Sequence, residues 1–137
     1  MEHSPGFLGL VNEAKSRVKE ISVVEVQQRF SRGEDFVFID TREEHEWNEE
    51  HAVGAVFLSK GILEREIERA VPDKSKEIVL YCGGGYRSAL AGDNLQRMGY
   101  TKVYSMAGGW KEWKAQGGSV ESTYRLHPKR KENLNVQ

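Results

Sequence analysis

Cysteine and proline are scarce in this 137-residue chain, with one and three copies, and no apolar run approaches the length of a membrane span. A single thiol excludes an intramolecular disulfide, a Cys-x-x-Cys redox pair and a cysteine-built zinc site. It suits a reducing compartment and leaves no resolving thiol within the chain. An excess of either charge is missing too: 20 basic residues against 21 acidic ones leave a net charge of −1. No broad field therefore points to nucleic acid or to an anionic membrane as a partner. The basic cluster Lys129-Arg130-Lys131 is short, sits in a polar tail and reads as a solvated face. Residues 1–5 lack the basic start and apolar core of a signal peptide, which makes the cytoplasm the expected location. The four histidines are scattered. His45-Glu46 opens a zinc-protease pattern, but the residue four positions after the histidine is Glu49, so the second histidine is missing. Neither a metal nor another cofactor is expected. His51 reads as a structural histidine at a turn, and Trp47, Trp110 and Trp113 as core or rim aromatics.

What the chain does contain is an alternation of short apolar strands and amphipathic helices. Phe7, Leu10, Val11, Ala14 and Val18 recur at helical spacing and predict a helix over 6–19. Ser22-Val23-Val24-Glu25 is a capping-box pattern that opens a helix to about Arg32, with Gly33 as its stop. Residues 36–39 form an apolar run of strand length ending in Asp40-Thr41-Arg42. The acidic stretch 43–50 reads as a short helix, and 51–58 as a turn and a short strand. Ile62, Leu63, Ile67, Ala70 and Val71 predict another helix, closed by Pro72. A strand over 78–81, a helix over 88–98, a strand over 102–105 and a helix over 110–116 follow. Continuous apolar strands belong to a parallel sheet covered on both faces. The expected fold is therefore an α/β domain of three layers, with a central, mainly parallel sheet of about five strands and helices on both faces. It divides into an amphipathic helical extension over 1–20, the domain over 21–120 and a polar tail over 121–137. Monomer and homodimer are both open.

The chemistry concentrates in Ile78-Val79-Leu80-Tyr81-Cys82-Gly83-Gly84-Gly85-Tyr86-Arg87-Ser88. Here a thiol stands on a glycine loop between the carboxyl end of a strand and the amino end of a helix, where open α/β sheets bind their ligands. Consecutive glycines can turn successive N–H groups toward one point. The helix adds unpaired N–H groups and the positive end of its dipole. Both favour the thiolate, which is the attacking form of cysteine. A lone cysteine after an apolar strand is more often a buried, inert side chain. The glycines and Arg87 reverse that expectation.

With these motifs set out, the sequence resembles the rhodanese family, in particular its small single-domain members, from about Ile21 to Val120. Asp40-Thr41-Arg42 is similar to the family's Asp-x-Arg, Glu46-Trp47 to its acidic–aromatic pair, and His51-Ala52-Val53-Gly54-Ala55 to its His-Ile-x-Gly-Ala element. Cys82 to Ser88 resembles the active-site loop Cys-x-x-Gly-x-Arg-Ser, and Gly108-Gly109 with Trp113 the closing Gly-Gly…Trp signature. Glu50 departs from the pattern, standing where the family carries glycine, which bears on the local turn. The resemblance implies a sulfurtransferase, moving a sulfane sulfur from a small donor such as thiosulfate to cyanide, a thiol or an acceptor protein through a Cys82 persulfide. It implies Cys82 and Arg87 as catalytic residues, Gly83, Gly84, Gly85, Tyr86 and Ser88 as the substrate-binding loop, and Asp40 and Arg42 as its support. Members acting as phosphatases or arsenate reductases carry Cys-x5-Arg. The shorter Cys-x4-Arg here is expected to close around one sulfur and disfavours that chemistry. A non-enzymatic binding or sulfur-relay module is the other alternative.

Several roles stay open at this level. Arg87 either steers an anionic donor or turns inward to pair with Asp40 or Glu46. Tyr86 either walls the pocket, meets a partner protein or is simply exposed. Ser88 either bonds the thiolate or caps the helix.

Overall fold

The structure is a computed structural model whose described residues are 2–123; most of the polar tail, with Lys129-Arg130-Lys131, lies outside them. In chain order the elements are α1 (Pro5–Lys15), β1 (Lys19–Ile21), α2 (Val23–Ser31), β2 (Val37–Asp40), α3 (Glu44–Glu49), β3 (His51–Ala52), β4 (Ala55–Phe57), α4 (Lys60–Ala70), β5 (Ile78–Tyr81), α5 (Tyr86–Arg97), β6 (Val103–Met106), α6 (Gly109–Ala115) and β7 (Val120–Glu121). Local chemistry explains several of the boundaries. The Ser22 hydroxyl accepts the Glu25 N–H at 3.1 Å and starts α2, and Gly33 ends it in the left-handed region at φ +69°. Helix α1 stops at Lys15, earlier than the apolar spacing predicts, because residues 19–21 are taken into the sheet beside β6.

Five strands pair in the order β1-β6-β5-β2-β4, every pair parallel. The central strand β5 is buried along its whole length, and its side chains alternate between two cores. Ile78 and Leu80 pack with Leu63 and Ile67 of α4 and with Ala91 and Leu95 of α5. Val79 and Tyr81 pack with Val23 and Val26 of α2 and with Trp113 of α6. Burying one such side chain contributes about 1.5–3 kcal/mol, so β5 is the rigid spine of the sheet. The fold is thus the expected three-layer α/β arrangement.

Register sets up the site. Asp40, the last residue of β2, lies opposite Tyr81, the last residue of β5. Whatever follows Tyr81 therefore emerges beside the charged end of β2.

A second, two-stranded sheet, β3 paired antiparallel with β7, is not anticipated by the sequence. Two-residue strands are too short to show a period. His51 is buried there, with Nδ1 2.8 Å from the Trp47 carbonyl, Nε2 3.1 Å from the Glu121 carboxylate and its ring stacked on Trp47. Glu50 adopts φ −159°, ψ 146°, an extended conformation open to any residue, and its carboxylate meets Lys114 Nζ at 2.8 Å. The family's glycine is not required at this turn.

Candidate active site

The loop leaving β5 wraps around the sulfur of Cys82. Gly85 takes φ +98°, a left-handed conformation suited to glycine, and acts as the N-cap of α5. From there the Gly85 N–H points at Cys82 Sγ at 3.2 Å, and the Ser88 N–H reaches the same atom at 3.3 Å. The thiol in turn lies 3.5 Å from Ser88 Oγ, which pairs with Ser105 Oγ at 2.8 Å. Two backbone donors at the positive end of a helix thus converge on one sulfur. Ser88 sits in the first turn of α5 against the sulfur, and the capping position belongs to Gly85.

The other side of the loop is held by Gly108-Gly109. The Trp110 N–H donates to the Cys82 carbonyl at 2.6 Å and the Lys111 N–H to the Gly83 carbonyl at 3.2 Å. This approach requires glycine at 109: φ is +55°, and an added Cβ would lie 2.3 Å from the Cys82 carbonyl oxygen.

Asp40 and Arg42 form a buried support below the loop. The Asp40 carboxylate accepts from Arg42 Nη2 at 2.9 Å, from the Arg42 backbone N–H at 2.8 Å and from the Tyr81 hydroxyl at 2.7 Å. Arg42 also donates to the Glu50 carbonyl at 2.7 Å, and its guanidinium lies 4.6 Å from the centre of the Trp110 ring. Burial pushes the Arg42 guanidinium down, but the hydrogen bonds and negative charge of Asp40, with smaller contributions from Tyr81 and Glu46, together more than reverse this and its pKa ends above the ordinary value. Burial, reinforced by Asp40, drives the Tyr81 phenol well above its ordinary range. Tyr81 and Trp110 are thus parts of the support that the sequence does not signal, where Tyr81 is only the end of a strand and Trp110 a core or rim aromatic.

Arg87 turns toward an acidic partner and also lines the cavity. Its Nη1 meets Glu46 Oε2 at 3.3 Å, while the side chain stays one-third exposed and lines the cavity above Cys82. The partner is Glu46 of α3; Asp40 is already engaged by Arg42 and Tyr81. The same Glu46 oxygen accepts the Glu43 N–H at 2.9 Å. Burial pushes the Glu46 carboxyl up, but the Glu43 N–H and Arg87 together pull it below the ordinary carboxylate range.

That cavity, about 820 Å³, is lined by Cys82, Gly84, Tyr86, Arg87, Gly108 and Lys111 from the loop and α6, and by residues 2–4 and Phe7 from the start of the chain. Tyr86 faces the cavity against the rings of His3 and Phe7, at 4.8 and 6.2 Å between centroids. Ser88, Asp40 and Arg42 are buried and do not line it. His3 and Lys111 were not singled out from the sequence, and Phe7 only as part of an apolar stripe. Nothing local to those positions signals that α1 folds back onto α5. Among the described residues, no three His, Cys, Asp or Glu side chains come together as a metal-binding group, and no helix is long and apolar enough to cross a membrane.

The rhodanese-like domain family model matches residues 22–116, from the cap of α2 to the end of α6 and including the whole cysteine loop. The chain belongs to the rhodanese-like family. This rhodanese-like chain is 35% identical over 97 residues to the thiosulfate sulfurtransferase GlpE of Coxiella burnetii, covering 71% of the chain and 88% of the relative. It is 37% identical over 75 residues to the thiosulfate sulfurtransferase PspE of Escherichia coli, covering 55% of the chain and 71% of that protein. Among solved structures, a Rhodopseudomonas palustris protein of unknown function, described as a possible tyrosine phosphatase, superposes with a TM-score of 0.79 at 28% identity. That match covers 88% of this chain and 98% of the other.

Proposed function

We propose that this rhodanese-like protein is a sulfurtransferase that carries sulfur as a persulfide on Cys82. The observation that carries the reading is the pair of N–H donors, from Gly85 and Ser88, aimed at the sulfur of Cys82, a buried residue that lines the cavity beside the Arg87 cation. In the first half-reaction the Cys82 thiolate attacks the outer sulfur of a donor such as thiosulfate. A bond forms from Sγ to that sulfur, the donor's own sulfur–sulfur bond breaks, and its electron pair leaves with sulfite. In the second, cyanide, a thiol or an acceptor protein attacks the outer sulfur of the persulfide and the Cys82 thiolate is regenerated. The loop donors face Sγ, the atom that carries the charge before the first half-reaction and again after the second. Arg87, held by Glu46 yet open to the cavity, supplies positive charge where the anionic donor enters.

Loop geometry also supports sulfur over phosphoryl chemistry. Four residues separate Cys82 from Arg87, and two of the nearby amides are already spent on Sγ. An intact thiol in such a cradle speaks for an enzyme over a non-enzymatic binding or relay module. The test is a thiosulfate-to-cyanide transfer assay on the purified protein and on Cys82→Ala. Turnover that disappears in the variant is expected. Phosphatase activity on a generic ester, lost in Cys82→Ala, would instead favour the phosphatase reading.

A further inference from the structure

Residues 2–7 precede the stretch that matches the family, which begins at residue 22, yet they make up part of the wall around Cys82. Their position is held from behind. Arg17 pairs with Asp93 of α5 through two contacts of 2.8 and 2.7 Å, Gln96 donates to the Arg17 carbonyl at 2.9 Å, and Val18 fills the space left at Gly92, where a Cβ would lie 3.0 Å from it. Ser4 caps α1, and this helix start brings His3 and Phe7 to the Tyr86 ring, with Lys15 Nζ 5.0 Å from the same ring centre. The cavity therefore combines two cations, Arg87 and Lys111, and one acidic residue, Glu2, with an aromatic cluster of His3, Phe7 and Tyr86. At about 820 Å³ it is the size of sites that hold organic ligands, roughly 300–1,000 Å³. A bare inorganic donor or cyanide would leave the aromatic part unused.

We propose that His3, Phe7 and Tyr86 form a specificity wall for an organic sulfur substrate, one whose reacting sulfur is anionic and whose body is apolar and flat. This rests on the sulfurtransferase reading above. With an arenethiosulfonate as the probe of that class, the Cys82 thiolate attacks the outer, anionic sulfur. The new bond is Sγ to outer sulfur, the bond from outer sulfur to sulfonyl sulfur breaks, and the electron pair leaves with the arenesulfinate. The cations face the anionic end while the ring of the probe meets Phe7 and Tyr86.

The experiment compares kcat/KM for benzenethiosulfonate and methanethiosulfonate as donors, with cyanide as acceptor, in wild type, Phe7→Leu and Phe7→Ala. Taking the ratio within each protein cancels the different intrinsic reactivity of the two donors. One lost aromatic contact with its buried area predicts a fall in the benzene-to-methane ratio of about tenfold in Phe7→Ala. Phe7→Leu, which keeps apolar packing for α1, is expected to lower it as well. A ratio that is the same in all three proteins overturns the wall. If thiosulfate still loads sulfur onto Cys82 in that case, only this inference falls. If no donor, thiosulfate included, loads Cys82, the sulfurtransferase reading falls and takes the wall with it.

Discussion

Arg87 reaches across from α5 to Glu46 of α3, Nη1 to Oε2 at 3.3 Å, and so joins the cysteine loop to the element that follows β2. The contact uses one edge of the guanidinium and leaves the side chain one-third exposed to the cavity. Structural pairing and contact with a donor are therefore compatible roles for this residue. A charge-assisted contact to an anion contributes about 1.5–3 kcal/mol, which corresponds to roughly 10- to 100-fold in rate. Arg87→Ala is expected to lower kcat/KM for thiosulfate by that factor, measured by steady-state transfer to cyanide. An unchanged value would remove Arg87 from the site.

Tyr81 carries a hydroxyl that donates to Asp40 and accepts the Ala52 N–H at 3.1 Å, with the whole residue buried. Removing that oxygen leaves a buried N–H without its partner and takes one donor from a buried carboxylate. Tyr81→Phe is expected to destabilise the fold by about 1–3 kcal/mol, read from urea denaturation. A smaller loss would mean that the contact contributes little beyond packing.

Gly109 and Gly84 make a paired test of loop packing. A methyl at 109 meets the Cys82 carbonyl at 2.3 Å and sits on a positive φ, whereas one at 84 meets nothing within 4 Å. Overpacking and left-handed strain together predict a loss of about 2–4 kcal/mol for Gly109→Ala. Thermal melting should show a drop of several degrees for this variant and almost none for Gly84→Ala. Equal melting temperatures would contradict the packing described for the loop.

Asp93 ties α1 to α5, and its carboxyl is held below the ordinary range, first by the hydrogen bond from Arg17, against the opposing effect of burial. For a depressed carboxyl, the stabilisation is fully present above the unfolded value of about 3.9 and is lost as pH falls through the lower folded value. Hydrogen-exchange protection factors in α1 are expected to drop as the pH is lowered below about 4, while those in β5 persist. Asp93→Asn should lower the α1 values at neutral pH and flatten their acid dependence. Acid-insensitive protection of α1 in the wild type would show that the pair does not hold the helix.

The sheet was readable from the sequence because its strands are continuous apolar runs and its helices carry clear stripes. Residues 78–81 come out as β5 without any shift. The strand ends were readable for the same reason: Asp40 and Cys82 each interrupt an apolar run at its carboxyl end, and the parallel register then sets Asp40 opposite Tyr81. The rest depends on contacts that have no local signature. Pairing of β3 with β7 joins residues about seventy positions apart through two-residue strands. Ser105 lies within β6, one residue before its end, yet only the fold brings its hydroxyl to Ser88. The choice of Glu46 over Asp40 as the partner of Arg87 was undetermined because both acids lie near the loop. Arg42, from two residues away, engages Asp40 through its backbone and its guanidinium. The stripe on α1 predicted a helix, but which surface it covers is a tertiary choice, made here by Arg17 and Asp93.

The most direct test of the persulfide account is mass spectrometry of the intact protein and its Cys82 peptide after incubation with thiosulfate and removal of excess donor. The account predicts one added sulfur atom on Cys82, released by cyanide as thiocyanate and absent in Cys82→Ala. Wild-type protein that takes up no sulfur from thiosulfate or from any other sulfane donor would contradict it.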